Sequence, residues 1–194
     1  VLVGVLAYIS PNAVVLTTAL KVAMLVAAGV GTSVLARSYS LSPEWAFIAG
    51  IAVPLNGFTM YFDAPSWVTG ALVWAIFPFF WAELRQLMAG KRNPFWAFIT
   101  GYLIVTVGYV AGTVAVGFIL LAVGIETLIR KAWRPAIRIA VTGVSMGLVA
   151  VVVFLPGVLT AAVTTRGTTG IWNDDYMSID FNSLLMAPIA TAYP

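Results

Sequence analysis

The sequence contains neither cysteine nor histidine, and only 9% of its 194 residues are charged. Without cysteine there is no disulfide framework and no thiolate metal site. Without histidine the commonest metal ligand and the usual general base near neutral pH are missing. Any acid or base that this chain supplies is a carboxylate, a lysine or a tyrosine. Soluble domains carry roughly 25% charged residues and need them to stay dispersed. The scarcity of charge therefore excludes an ordinary soluble fold. The net charge of +3 follows from the loops and is no signal for nucleic acid. No hydrolase nucleophile with a base, no phosphate-cradling glycine loop and no metal quartet is present.

What is abundant is apolar surface: 61% of residues are hydrophobic, and the mean hydropathy is +1.01. A soluble fold cannot hide that much, so the sequence reads as an all-α polytopic membrane protein. Six apolar runs are expected to be spans: Ala13 to Leu35, Trp45 to Met60 with Pro54 inside it, Trp67 to Leu87 with Pro78 inside it, the short run Phe95 to Val107, Ala111 to Ile129, and Ile137 to Val163 with Pro156 near its end. Residues 1–10 supply the end of another membrane segment or a dipping loop, which makes six to seven transmembrane helices. Residues 1–163 are then a transmembrane bundle, and 164–194 an outer loop leading to a further span. VLVGVLAYIS has no charged n-region and no cleavage site, so it is not a signal peptide. Val1 at one end and TAYP at the other read as the limits of an internal piece of a longer protein.

Lysine and arginine in short loops set orientation. Arg37, then Arg85, Lys91 and Arg92, then Arg130, Lys131, Arg134 and Arg138 occupy alternate loops, so eight of the ten basic residues fall on one side. Asp63, Asp174, Asp175 and Asp180, four of the seven acids, fall on the other. The spans were chosen on hydrophobicity alone, so this agreement checks them independently. The basic side is expected to be cytoplasmic, in a bacterial plasma membrane. Trp45, Trp67, Trp81, Trp96 and Trp133 lie near span ends, as an interfacial belt requires.

Few residues carry chemistry. Asp63 sits in the outer loop FTMYFDAPSW. Pro65 suits the first turn of the next helix, so Asp63 is either its N-cap or a binding or catalytic carboxylate. Lys21 lies inside an apolar span, roughly 12 Å from its outer end at 1.5 Å per residue. A charge there must pair, snorkel or face water, and an ammonium in the outer leaflet suits a lipid phosphate. The outer segment RGTTGIWNDDYMSIDFNSLLMAPIATAYP offers Asp174, Asp175 and Trp172 to a sugar, or the acid pair to a divalent cation. Its plain alternative is a solvated loop. Glu44, Glu83 and Glu126 lie near inner span ends beside basic residues and read as interfacial pairs, Glu126 with Arg130 at i, i+4. The basic run RKAWRPAIR, residues 130–138, sets topology and touches anionic lipid.

These residues resemble the YfhO-type bacterial membrane proteins of the GT-C glycosyltransferase superfamily. The resemblance rests on Lys21 opening a helix that ends in Arg37, on Asn56-Gly57-Phe58, Trp67, Pro78, Glu83 and Lys91-Arg92, with YISPN before them and VFLPGVLTA after. It implies a GT-C-like fold and sugar transfer at the outer face from a polyprenyl-phosphate donor to an envelope glycan or lipid. The superfamily's usual catalytic acid lies in the first outer loop, which here would precede Val1, so the resemblance assigns no catalytic role to Asp63. Lys21, Tyr61, Trp67 and Trp172 are the candidate substrate contacts, and Asp63, Asp174 and Asp175 the candidate carboxylates. The competing readings are a non-catalytic membrane scaffold or assembly subunit, and a transporter or flippase for lipid-linked sugars. The last predicts broken helices in two related halves, and no internal repeat is visible.

Overall fold

The computed structural model describes residues 12–55 and 68–160. Among them the chain is entirely helical, with six helices: α1 (Ala13–Ser38), α2 (Pro43–Ala52), α3 (Val68–Met88), α4 (Pro94–Thr106), α5 (Val110–Ile129) and α6 (Trp133–Thr160). Three are long and apolar enough to cross a membrane: α1 over Val14–Ser38, α5 over Val110–Ile129 and α6 over Trp133–Leu159.

Local chemistry accounts for most of the boundaries. Asn12 caps α1, its Oδ1 accepting from the backbone N–H of Val14 at 3.0 Å. Asn93 does the same for α4, accepting from Phe95 at 3.0 Å, and Pro94 follows at the first helical position, where its missing N–H costs nothing. At the other ends, α1, α3 and α5 close identically. Ser40 donates to the Arg37 carbonyl and Leu41 to Ala36, Gly90 to Leu87 and Lys91 to Gln86, Lys131 to Leu128 and Ala132 to Thr127. Each is a Schellman closure with a left-handed residue: Ser40 at φ 65°, Gly90 at 72° and Lys131 at 55°.

Several boundaries differ from expectation: α1 runs past Leu35 to Ser38, α2 begins at Pro43 and not Trp45, and two further differences involve prolines. In the second apolar run α2 ends at Ala52, so Pro54 lies beyond this helix, and residues 56–60 of the run lie outside the described residues. Proline has no N–H to give to the Gly50 carbonyl, and that carbonyl faces Gly29 of α1 instead. The last helix starts at Trp133, four residues before the expected Ile137, because Pro135 is tolerated in a first turn whose N–H groups have no partner anyway. Arg134 and Arg138 are therefore helical. At ten and thirteen residues, α2 and α4 reach only about 15 and 20 Å, short of the roughly 30 Å hydrocarbon core.

Side-chain register shows how the helices run. Gly31 of α1 meets Pro78 and Phe79 of α3, and Gly112 of α5 meets Val73 of α3. Arg85 of α3 meets Glu126 of α5, so α1, α3 and α5 are parallel. Gly29 against Gly50, with the Ser33 hydroxyl donating to the Ala46 carbonyl at 3.0 Å, makes α2 antiparallel to α1. Gly101 against Phe80 sets α4 antiparallel to α3, and Leu120 against Gly143 sets α6 antiparallel to α5. The basic turns Arg37, Arg85–Arg92 and Arg130–Arg138 therefore gather at one end of the bundle. Trp45, Trp96 and Trp133 begin the three helices that leave this end, and all are exposed.

Helix α3 is the hub. It packs on α1, α4, α5 and α6. Its residues Val73, Phe80, Leu84 and Leu87 follow the i, i+3, i+4 rhythm of one helix face and are buried with Ile104 and Val105 of α4, Val116 and Val123 of α5, and Ile139 and Met146 of α6. The two fully buried hydroxyls satisfy themselves within their own helices: Thr127 donates to Val123 at 2.6 Å, and Thr142 to Arg138 at 2.9 Å.

Candidate functional site

Among the described residues, Lys21 represents the sequence-derived candidates. Asp63, Tyr61, Trp67, Asp174, Asp175 and Trp172 lie outside them. Lys21 belongs to the stripe of α1 that includes Met24, Ala28 and Gly31, the buried residues turned to the bundle. It is half-buried, and no described acid lies within salt-bridge distance of it. Carrying the register of Gly31 against Phe79 back along the parallel pair sets Lys21 level with the first turn of α3. That is the end of the bundle away from the basic turns. Lys21 thus lies on the inner stripe of α1, level with the start of α3 at Val68.

The best-formed polar cluster lies at the opposite end. Arg85 Nη1 is 2.9 Å from both carboxylate oxygens of Glu126, and Arg130 Nη2 is 2.7 Å from one of them. The Arg85 guanidinium also stands 4.2 Å over the Tyr39 ring, a cation–π contact. Tyr39 in turn meets Trp81 edge-on at 6.3 Å. Beside this group, Arg92 Nε donates to Gln86 Oε1 at 3.0 Å and lies 3.6 Å from Glu83, an ion pair. Glu83 Oε2 and Arg85 Nε are buried with no hydrogen-bond partner among the described residues.

This cluster ties α1, α3 and α5 together at one depth. One carboxylate shared by two guanidiniums leaves an excess positive charge and is suited to fastening helices, not to proton transfer. The expected Glu126–Arg130 pair is present, and Glu83 has Arg92 near it. Glu44 has no salt bridge among the described residues; Arg37 acts on it only through space, its own Nη1 donating to the Leu41 carbonyl at 3.0 Å. The Arg85–Glu126 bond was missed from sequence. Its one available signal was position: each residue lies three before the end of its helix, on helices expected to run the same way.

The described residues contain no group of three or more His, Cys, Asp or Glu able to hold a metal ion. No protein-family model matches the chain, and no curated protein or solved structure is significantly similar to it.

Proposed function

We propose that this chain is the transmembrane part of a GT-C-type glycosyltransferase of the YfhO kind. It spans a bacterial plasma membrane six to seven times, with the basic turns cytoplasmic. It transfers a sugar from a polyprenyl-phosphate donor to an envelope glycan or lipid on the outer face. The observation that carries this reading is Lys21: a half-buried lysine on the inner stripe of an apolar helix, at the end away from the basic turns. Lys21 meets the donor phosphate and offsets the charge that grows on it as the glycosidic bond breaks. An inverting transfer also needs a carboxylate to take the acceptor hydroxyl's proton, and Asp63, Asp174 or Asp175 would serve on that side. Tyr61, Trp67 and Trp172 would stack on sugar rings.

The test is sugar transfer in liposomes by the full-length protein, with a panel of polyprenyl-phosphate sugars. Lys21→Ala should raise the donor KM by roughly tenfold or more, the value of one charge-assisted contact, and Lys21→Arg should restore part of it. Unchanged donor affinity in Lys21→Ala would sink the assignment of the phosphate to Lys21. No transfer from any donor, with loss of an assembled complex when the chain is deleted, would favour a scaffold subunit.

A further inference from the structure

Helices α5 and α6 form a hairpin. One side of it packs on α3 and α4. The other side opens a groove of about 580 Å³, lined almost wholly by carbon. Its floor is low because Gly117 and Gly124 on α5 and Gly143 on α6 have no side chains: a Cβ at Gly117 would meet nothing within 4 Å, and Cβ atoms at Gly124 and Gly143 would meet only single methyl carbons at 3.9 Å. From Gly117 to Leu128 the groove runs about 16 Å at 1.5 Å per residue. That is about half of a hydrocarbon core of roughly 30 Å, the depth of a single leaflet.

The groove ends at the turn that joins the two helices, where Leu128 and Trp133 line its mouth. Lys131 and Arg134, close to the mouth residue Trp133 in the chain, are exposed. Arg130 is held by Glu126, whereas Lys131 and Arg134 have no salt bridge among the described residues. The first turn of α6 carries no acid, and the sequence has none between Glu126 and Asp174. An apolar trough one leaflet deep thus leads to uncompensated positive charge and an interfacial tryptophan. Each part matches one part of a phospholipid: acyl chain, phosphate and glycerol level.

We propose that the α5–α6 groove is a binding site for an anionic phospholipid, one acyl chain lying along Gly117, Gly124 and Gly143 and the headgroup phosphate meeting Lys131 and Arg134. The site lies at the end of the bundle opposite Lys21 and does not depend on sugar transfer.

The experiment is native mass spectrometry of the purified full-length protein in neutral detergent, with phosphatidylglycerol and phosphatidylcholine of identical acyl chains as probes. The protein should retain one phosphatidylglycerol roughly thirtyfold more strongly than phosphatidylcholine, the effect expected from two basic residues at a membrane surface. Gly124→Leu fills the trough and should abolish retention of both lipids. Lys131→Gln with Arg134→Gln should keep the trough and erase the headgroup preference. Gly117→Leu, where the added side chain meets open space, serves as the blocking variant if Gly124→Leu fails to fold by circular dichroism. Equal retention of the two lipids by the unaltered protein, or undiminished retention in the filled variants, overturns the proposal. Dimers that disperse in the filled variants without bound lipid would also overturn it and make the groove a seat for a second copy.

Discussion

Arg85 and Glu126, forty-one residues apart on two parallel helices, face each other end-on, with one guanidinium nitrogen 2.9 Å from both carboxylate oxygens. The Arg85 side chain is 13% exposed and Glu126 35%, so the pair is shielded on the arginine side. Arg130, which shares the same carboxylate, is 60% exposed. Tyr39 beneath Arg85 extends the contact to the end of α1. The hub helix is thereby fastened to both of its parallel neighbours at the same depth.

Removing the shared anion should therefore cost much more than removing its exposed partner. Glu126→Gln leaves a mostly buried guanidinium without its counter-charge and is expected to destabilise by about 2 kcal/mol. Arg130→Ala loses only an exposed i, i+4 pair, worth about 0.5 kcal/mol or less. Thermal melts followed by circular dichroism in detergent distinguish the two. Equal shifts in Tm would mean that Arg85 finds another partner or water.

The crossing of α1 and α2 depends on two missing side chains. A Cβ on Gly29 would lie 2.6 Å from the Gly50 carbonyl oxygen, and one on Gly50 would collide with the Ser33 hydroxyl. Both obstacles leave little room to yield, since one is backbone and the other hydroxyl donates to Ala46. Gly29→Ala and Gly50→Ala should each destabilise by about 1–3 kcal/mol, as overpacking does. Gly147→Ala, with nothing within 4 Å of the new carbon, should stabilise by about 0.5–1 kcal/mol through helix propensity. A shared loss of stability in all three would show that glycine is needed for something other than space.

The three Schellman closures carry different residues in the same left-handed conformation. Ser40 sits at φ 65°, where a Cβ is strained, while Gly90 sits at 72° without that strain. Ser40→Gly should raise stability and Gly90→Ala should lower it, each by about 1 kcal/mol. Opposite shifts in Tm are the expected result. A stabilising Gly90→Ala would contradict the assigned turn.

The complete lack of cysteine makes topology directly measurable. Single cysteines at Lys91 and Ala132 lie in turns at the basic end, and one at Ala111 lies at the start of α5, at the other. In right-side-out vesicles a membrane-impermeant maleimide should label Ala111→Cys and reach Lys91→Cys and Ala132→Cys only after the membrane is opened. Labelling of all three from outside would refute the bundle's placement across the bilayer.

Helix positions were legible to within a residue for α3 and α5, because long apolar runs bounded by charge leave little choice. The larger errors fell at prolines, although α1 also ran past the expected Leu35 to Ser38. Pro54 ended a helix that hydropathy alone would have continued, and Pro135 opened one that charge alone would have delayed. Lys21 stood out because an ammonium inside an apolar run is rare, and its half-buried place on the inner stripe of α1 followed from helical spacing. The hub role of α3 was not legible. Lipid tails are as apolar as leucine, so the stripe Val73, Phe80, Leu84 and Leu87 reads no differently from the outward stripe Val22, Val26, Val30 and Val34.

The sequence by itself determined the apolar helices and the alternation. Scarce charge and long apolar runs give helices long and apolar enough to cross a membrane, and the eight of ten basic residues in alternate turns set those turns at one end. Both are local properties, written in composition and spacing. Only the tertiary structure decided the partners: that Arg85 takes Glu126, that Gly29 admits Gly50, and that α5 and α6 leave a trough on their outer side. Those facts depend on contacts between residues distant along the chain, where depth, crossing and side-chain volume decide which of several equally apolar faces meet.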